Sequence, residues 1–125
     1  MKSYRRILLK LSGEALAGAQ GYGIQADALL SMASSVKDAC DSGAQVGVVL
    51  GGGNIFRGIQ AGPGQNRARA DSMGMLATVI NALAMQEALE GLGVQAHVMS
   101  AIEMPRVAET FVREQAVAHL EAGRV

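Results

Sequence analysis

Two short apolar runs, Ile7–Leu11 and Val46–Leu50, show no clean alternation of apolar and polar positions. Runs of that kind fit strands buried on both faces, as in a parallel sheet. Parallel neighbours need a crossover, and the sequence between the runs supplies one. Residues 27–41 place Leu30, Ala33, Val36 and Lys37 at helical spacing, and Gly43 follows as a stop. A second helix is predicted over residues 72–90, with Met75, Leu76, Val79, Leu83, Met85 and Leu89, ending near Gly91 and Gly93. It is apolar around much of its circumference, which predicts burial in the domain or against a partner chain. Val94–Met99 is a third candidate strand. Residues 107–121 read as a further, broken helix carrying Phe111, Val112, Val117 and Leu120. Alternation of strand and helix predicts an α/β domain: three layers, α/β/α, around a mainly parallel, Rossmann-like sheet with right-handed crossovers. One domain spans residues 1–125. Arg124-Val125 reads as the first step of a fourth strand, so the expectation is a truncated domain.

Composition narrows the function classes. Half of the residues are hydrophobic, yet there is no Trp and only two Tyr and two Phe. The core must therefore come from Leu, Val, Ile, Ala and Met, which suits helices packed on a sheet. Eleven basic residues balance eleven acidic ones, so the basic footprint of a nucleic-acid binder is missing. Local clusters remain at Lys2, Arg5 and Arg6 and at Arg57, Arg67 and Arg69; they read as solvated surface or as contacts for a small anion. The single Cys40 excludes an internal disulfide and a cysteine metal cluster. His97 and His119 lack ligand-like spacing, so no metal site is assigned. The amino-terminal apolar run is too short for a signal peptide, and no run approaches the roughly 18 to 20 residues of a membrane span. The expected compartment is the cytoplasm.

Ligands of open parallel sheets bind beyond the carboxyl ends of the strands. The first strand ends in Lys10-Leu11-Ser12-Gly13-Glu14. A lysine there must reach water or an anion, and turning N–H groups at Ser12 and Gly13 would suit a phosphate. A snorkelling lysine explains the same residue. The second strand runs into Gly51-Gly52-Gly53-Asn54. Three glycines let anionic groups approach the main chain. A helix starting near Asn54 would add its dipole, and Arg57 a charge-assisted contact. A tight turn needing positive φ is the alternative. Asp71 reads equally as a helix N-cap and as an acceptor for a sugar hydroxyl. No Walker sequence is present, and Gly21-Tyr22-Gly23-Ile24-Gln25-Ala26 matches a dinucleotide fingerprint only loosely, without a preceding strand.

Taken together, residues 7–16, the stretch Val46 to Gly58 with its Gly-Gly-Gly-Asn-Ile-Phe-Arg-Gly, and Asp71-Ser72-Met73-Gly74-Met75-Leu76-Ala77-Thr78 resemble the bacterial-type UMP kinases of the amino-acid-kinase family. The resemblance implies Mg²⁺-dependent phosphoryl transfer from ATP to UMP, giving UDP in pyrimidine nucleotide biosynthesis. It implies that Lys10 is catalytic and that Lys10, Leu11, Ser12, Gly13, Gly53 and Arg57 contact ATP. Gly52 and Asp71 would contact UMP. Gly18, Ala19, Gln20, Gly21, Tyr22 and Gly23 match a loop tied to GTP activation, with UTP a second candidate effector. The family is similar in forming hexamers. Its members run to about twice this length, so the adenine-binding half is expected to be absent and the chain alone inactive. Two alternatives stand: a family kinase acting on a carboxylate or carbamate, and a non-catalytic nucleotide-binding oligomerisation module.

Overall fold

A computed structural model describes residues 3–56, 64 and 66–125. Arg57 and most of the predicted loop from Gly58 to Gly64 lie outside the described residues.

Strand β1 (Arg6–Leu11) pairs in parallel with β2 (Gln45–Leu50), in register from Arg6 opposite Gln45 to Leu11 opposite Leu50. The crossover holds a short helix, α1 (Gly13–Ala17), a 3-10 turn at Gly18–Gln20, and α2 (Ala26–Asp41). Helix α2 ends where expected. Gly43 has φ +96°, a left-handed conformation that favours glycine, and its N–H donates to Cys40 O at 3.0 Å. Ala33 and Val36 of α2 pack inward as the sequence suggested, but Leu29 and Cys40 complete the stripe in place of Leu30, which is 49% exposed, and Lys37. Successive strand residues face opposite sides of a sheet. One side of β1–β2, with Leu9, Leu11, Val46, Val48 and Leu50, joins Ala33 and Val36 of α2 and Met85 and Leu89 of the next helix in a single apolar core.

That next helix, α3 (Arg67–Gly91), is longer than predicted and starts five residues earlier. Asn66 caps it, accepting a hydrogen bond from Arg69 N on Oδ1 at 3.1 Å. Asp71 therefore sits inside the helix, and its N-cap reading is wrong. The third strand is also shorter than predicted. Only Met99–Ser100 (β3) is strand, pairing in parallel with Glu109–Thr110 (β4). The predicted helix over 107–121 starts six residues late, as α4 (Arg113–Glu121), because residues 109–110 are held by β3. Phe111 and Val112 consequently lie exposed. Residues 95–97 do have a partner. Val125 N donates to Gln95 O and His97 N to Val125 O, both at 2.9 Å, so the carboxyl-terminal residues lie alongside this segment as the predicted strand would. Leu8 and Val49, on the second side of the β1–β2 sheet, line a cavity of about 310 Å³ together with Ala116, His119 and Leu120 of α4. Helices thus address both sides of a parallel sheet.

Leu89 is 1% exposed at the centre of the core. Leu89→Ala should lower the unfolding free energy by about 2–5 kcal/mol, read from urea denaturation followed by circular dichroism.

Candidate active site

The carboxyl ends of β1 and β2 are joined directly: Gly51 N donates to Leu11 O at 3.0 Å. Beyond that bond both chains turn, and they pack main chain on main chain. A Cβ on Gly13 would lie 2.6 Å from Asn54 Oδ1 and 2.9 Å from both Gly51 O and Gly53 N. A Cβ on Gly52 would lie 2.9 Å from Ala77 Cβ and 3.1 Å from Gly74 O and Thr78 N of α3. Gly13 and Gly52 are therefore required by protein packing.

The predicted helix at Asn54 does not form. Residues 53–55 make a turn closed on Gly52 O, which accepts from Ile55 N and Phe56 N at 3.0 Å each. Any attraction for an anion here comes from individual amides. The Gly52 N–H has no acceptor among the described residues.

A buried amide pair, not anticipated from the sequence, holds the turn in place. Asn81 of α3 is fully buried and Asn54 is 5% exposed. Asn81 Nδ2 donates to Asn54 Oδ1 at 2.7 Å and to Gly51 O at 2.7 Å. Asn54 Nδ2 donates to Asn81 Oδ1 at 3.1 Å and to Gly23 O at 2.8 Å. The one available signal was an amide among the apolar positions Val79, Leu83 and Met85 of a buried helix. Gly23 N donates to Asn54 O at 2.8 Å, so the loop over Gly18, Ala19, Gln20, Gly21, Tyr22 and Gly23 is tied to the glycine turn. Tyr22 on this loop is exposed.

The other predicted site residues fall as follows. Lys10 stands opposite Val49, on the exposed side of β1 next to the joined strand ends. Leu11 is half-buried and contributes the carbonyl that joins the two ends. Ser12 caps α1: its Oγ accepts from Glu14 N at 3.2 Å and donates to Glu14 Oε2 at 2.8 Å. Asp71 is exposed and paired with Arg67 Nε at 3.1 Å. An exposed pair four residues apart on a helix contributes only about 0.3–0.5 kcal/mol, so a ligand hydroxyl can replace it. Cys40 stands apart, in the core-facing stripe of α2, where burial pushes its thiol pKa up and away from the reactive thiolate.

Residues 5–125 match the Amino acid kinase family. The chain belongs to that family. Among solved structures, this amino acid kinase chain is similar to a UMP kinase from Bacillus anthracis, with 39% identity and a TM-score of 0.93 over 98% of its length. It is also similar to a UMP kinase from Ureaplasma parvum, with 34% identity and a TM-score of 0.89 over 97%. It covers 51% and 54% of those two chains, so it spans about half their length. The parallel α/β architecture read from the sequence is that of these kinases.

The packing at Gly52 makes a graded prediction. Gly52→Ala should destabilise the fold by about 1–3 kcal/mol, because the methyl overpacks against α3. Gly91→Ala, at the end of α3 with open space around it, should be neutral or stabilising by up to about 1 kcal/mol. Paired urea titrations check this; equal effects would show that the contact at Gly52 is loose.

Proposed function

We propose that this chain forms the acceptor-side and lysine-bearing part of a UMP kinase, transferring a phosphoryl group from ATP to UMP. The observation that carries the reading is the joined end of β1 and β2. A lysine, a stripped main-chain turn and a Gly52 amide with no acceptor among the described residues meet there, in a chain 39% identical to a UMP kinase. Phosphoryl transfer relies chiefly on positioning and charge stabilisation, and it needs no nucleophile from the protein. Mg²⁺, entering with ATP, would neutralise phosphate charge.

In this reading Lys10 offsets charge on the transferring group. Leu11, Ser12, Gly13 and Gly53 line the ATP phosphates, joined by Arg57 beyond the described residues. The Gly52 amide faces the UMP phosphate, and Asp71 leaves Arg67 to accept from the ribose. Asn54 and Asn81 hold the turn at the height these contacts need. The loop from Gly18 to Gly23 is our candidate for an effector contact, with GTP or UTP as ligand, because it shares Asn54 with the turn. The cytoplasm, where nucleotides are made, is the expected compartment. No described helix is long and apolar enough to cross a membrane.

A coupled assay offering UMP, CMP and acetylglutamate tests the substrate: only UMP should drive ATP consumption, in this chain or in a longer polypeptide containing it. Lys10→Met should abolish turnover while sparing most UMP binding measured by calorimetry. Equal loss of both would contradict the role assigned to Lys10.

We also propose that copies of this chain associate through α3. Met73, Leu76 and Ile80 recur at spacings of three and four along the helix and are 44%, 48% and 47% exposed. They form an apolar stripe of the kind that a partner helix covers. Light scattering should give a mass above the monomer, and Leu76→Glu should shift it to the monomer. A monomeric parent chain would remove this reading.

A further inference from the structure

Away from the glycine turn, three side chains that the sequence holds apart converge. His97 precedes β3, Glu109 opens β4 and His119 lies near the end of α4. His97 Nδ1 is 2.8 Å from Glu109 Oε2, and His119 Nε2 is 3.0 Å from Glu109 Oε1. The two imidazoles stack, with centroids 3.9 Å apart and planes 17° from parallel. One ligand atom from each residue lies within 4.8 Å of the others. In the sequence the histidines stand 12 and 10 positions from the glutamate, a spacing that matches no short metal motif.

We propose that His97, Glu109 and His119 form a binding site for a divalent d-block cation, Zn²⁺ foremost. The donor set is two imidazole nitrogens and a carboxylate, which suits Zn²⁺, Co²⁺ or Ni²⁺ and not Mg²⁺, a cation that prefers all-oxygen surroundings. In tetrahedral zinc sites with bonds of about 2.0–2.1 Å, ligand atoms sit roughly 3.3 Å apart. Each imidazole lone pair lies in its ring plane, so the stacked rings must turn out of parallel for both nitrogens to face one ion at that spacing. The side chains of His97 and Glu109 are 35% and 37% exposed, which leaves a path for the ion and room for a water as fourth ligand.

Arg124 opposes the ion and gives the idea its sharpest consequence. Its Nε donates to His119 Nδ1 at 3.1 Å, which places the imidazole proton on Nε2, facing Glu109. A metal on Nε2 displaces that proton, and the neutral ring must then carry its proton on Nδ1, where it breaks the Arg124 bond. The cation would link the segment before β3, β4 and α4. None of these residues belongs to the proposed nucleotide site, so the two readings stand or fall separately.

The test uses the tag-free chain, freed of metals over a chelating resin. ZnCl₂ is titrated by calorimetry and CoCl₂ by visible absorption. One equivalent should bind, with d–d bands for Co²⁺ and a rise in Tm with Zn²⁺, and excess MgCl₂ should not compete. His97→Gln and His119→Gln should each weaken binding at least about tenfold. Arg124→Leu should tighten it several-fold, and Cys40→Ser should leave it unchanged. No saturable uptake by the parent chain, or uptake unaltered in His97→Gln, overturns the proposal.

Discussion

The candidate site depends on main-chain contact between two turns. Gly51 N bonds to Leu11 O, and Gly13 then lies so close to Gly51, Gly53 and Asn54 that no side chain fits between. The parallel register of β1 and β2 brings both strand ends to the same level, and the contact converts that register into one continuous surface. The opposite face of the turn is set by α3, through Gly52 against Ala77 and Gly74. The triglycine turn is thus clamped between α1 and α3, and its backbone is fixed before any ligand arrives.

Clamping a turn this tightly buries main-chain groups, and they must be matched. An unpaired buried donor or acceptor costs about 1–3 kcal/mol. Asn54 and Asn81 meet that requirement together. Each donates to the other and to one carbonyl, Gly23 O or Gly51 O, and no buried side-chain polar atom among the described residues lacks a partner. The pair also makes one unit of three segments: the loop ending at Gly23, the turn and the middle of α3. A shift of any one of them is felt by the other two.

The sequence was most legible where residue chemistry is unusual for its position. A lysine ending an apolar run and three glycines after another marked the two strand ends, and the register of β1 and β2 brings them together. The crossover helix was equally plain, because Gly43 closes it. What was hidden depends on partners far away in the chain. Asn81 meets Asn54 across 27 positions, and His97 meets Glu109 across 12. The start of α4 was misplaced because Phe111 and Val112 continue a helical pattern, while β3 pulls Glu109 and Thr110 into a strand pair. The triglycine was read as room for phosphate; it is first room for α1 and α3. The absence of a helix at Asn54 removes the dipole that the sequence suggested there.

The central claim is that the joined ends of β1 and β2 seat nucleotide phosphates. Amide-resolved NMR of the ¹⁵N-labelled chain, titrated with UMP and separately with ATP, addresses it most directly. The account predicts saturable shifts centred on the amides of Lys10 to Gly13 and Gly51 to Asn54, with Asn81 side-chain amide signals moving in step and Asp71 responding to UMP. Shifts centred on other parts of the fold, with the glycine turn silent, would contradict it.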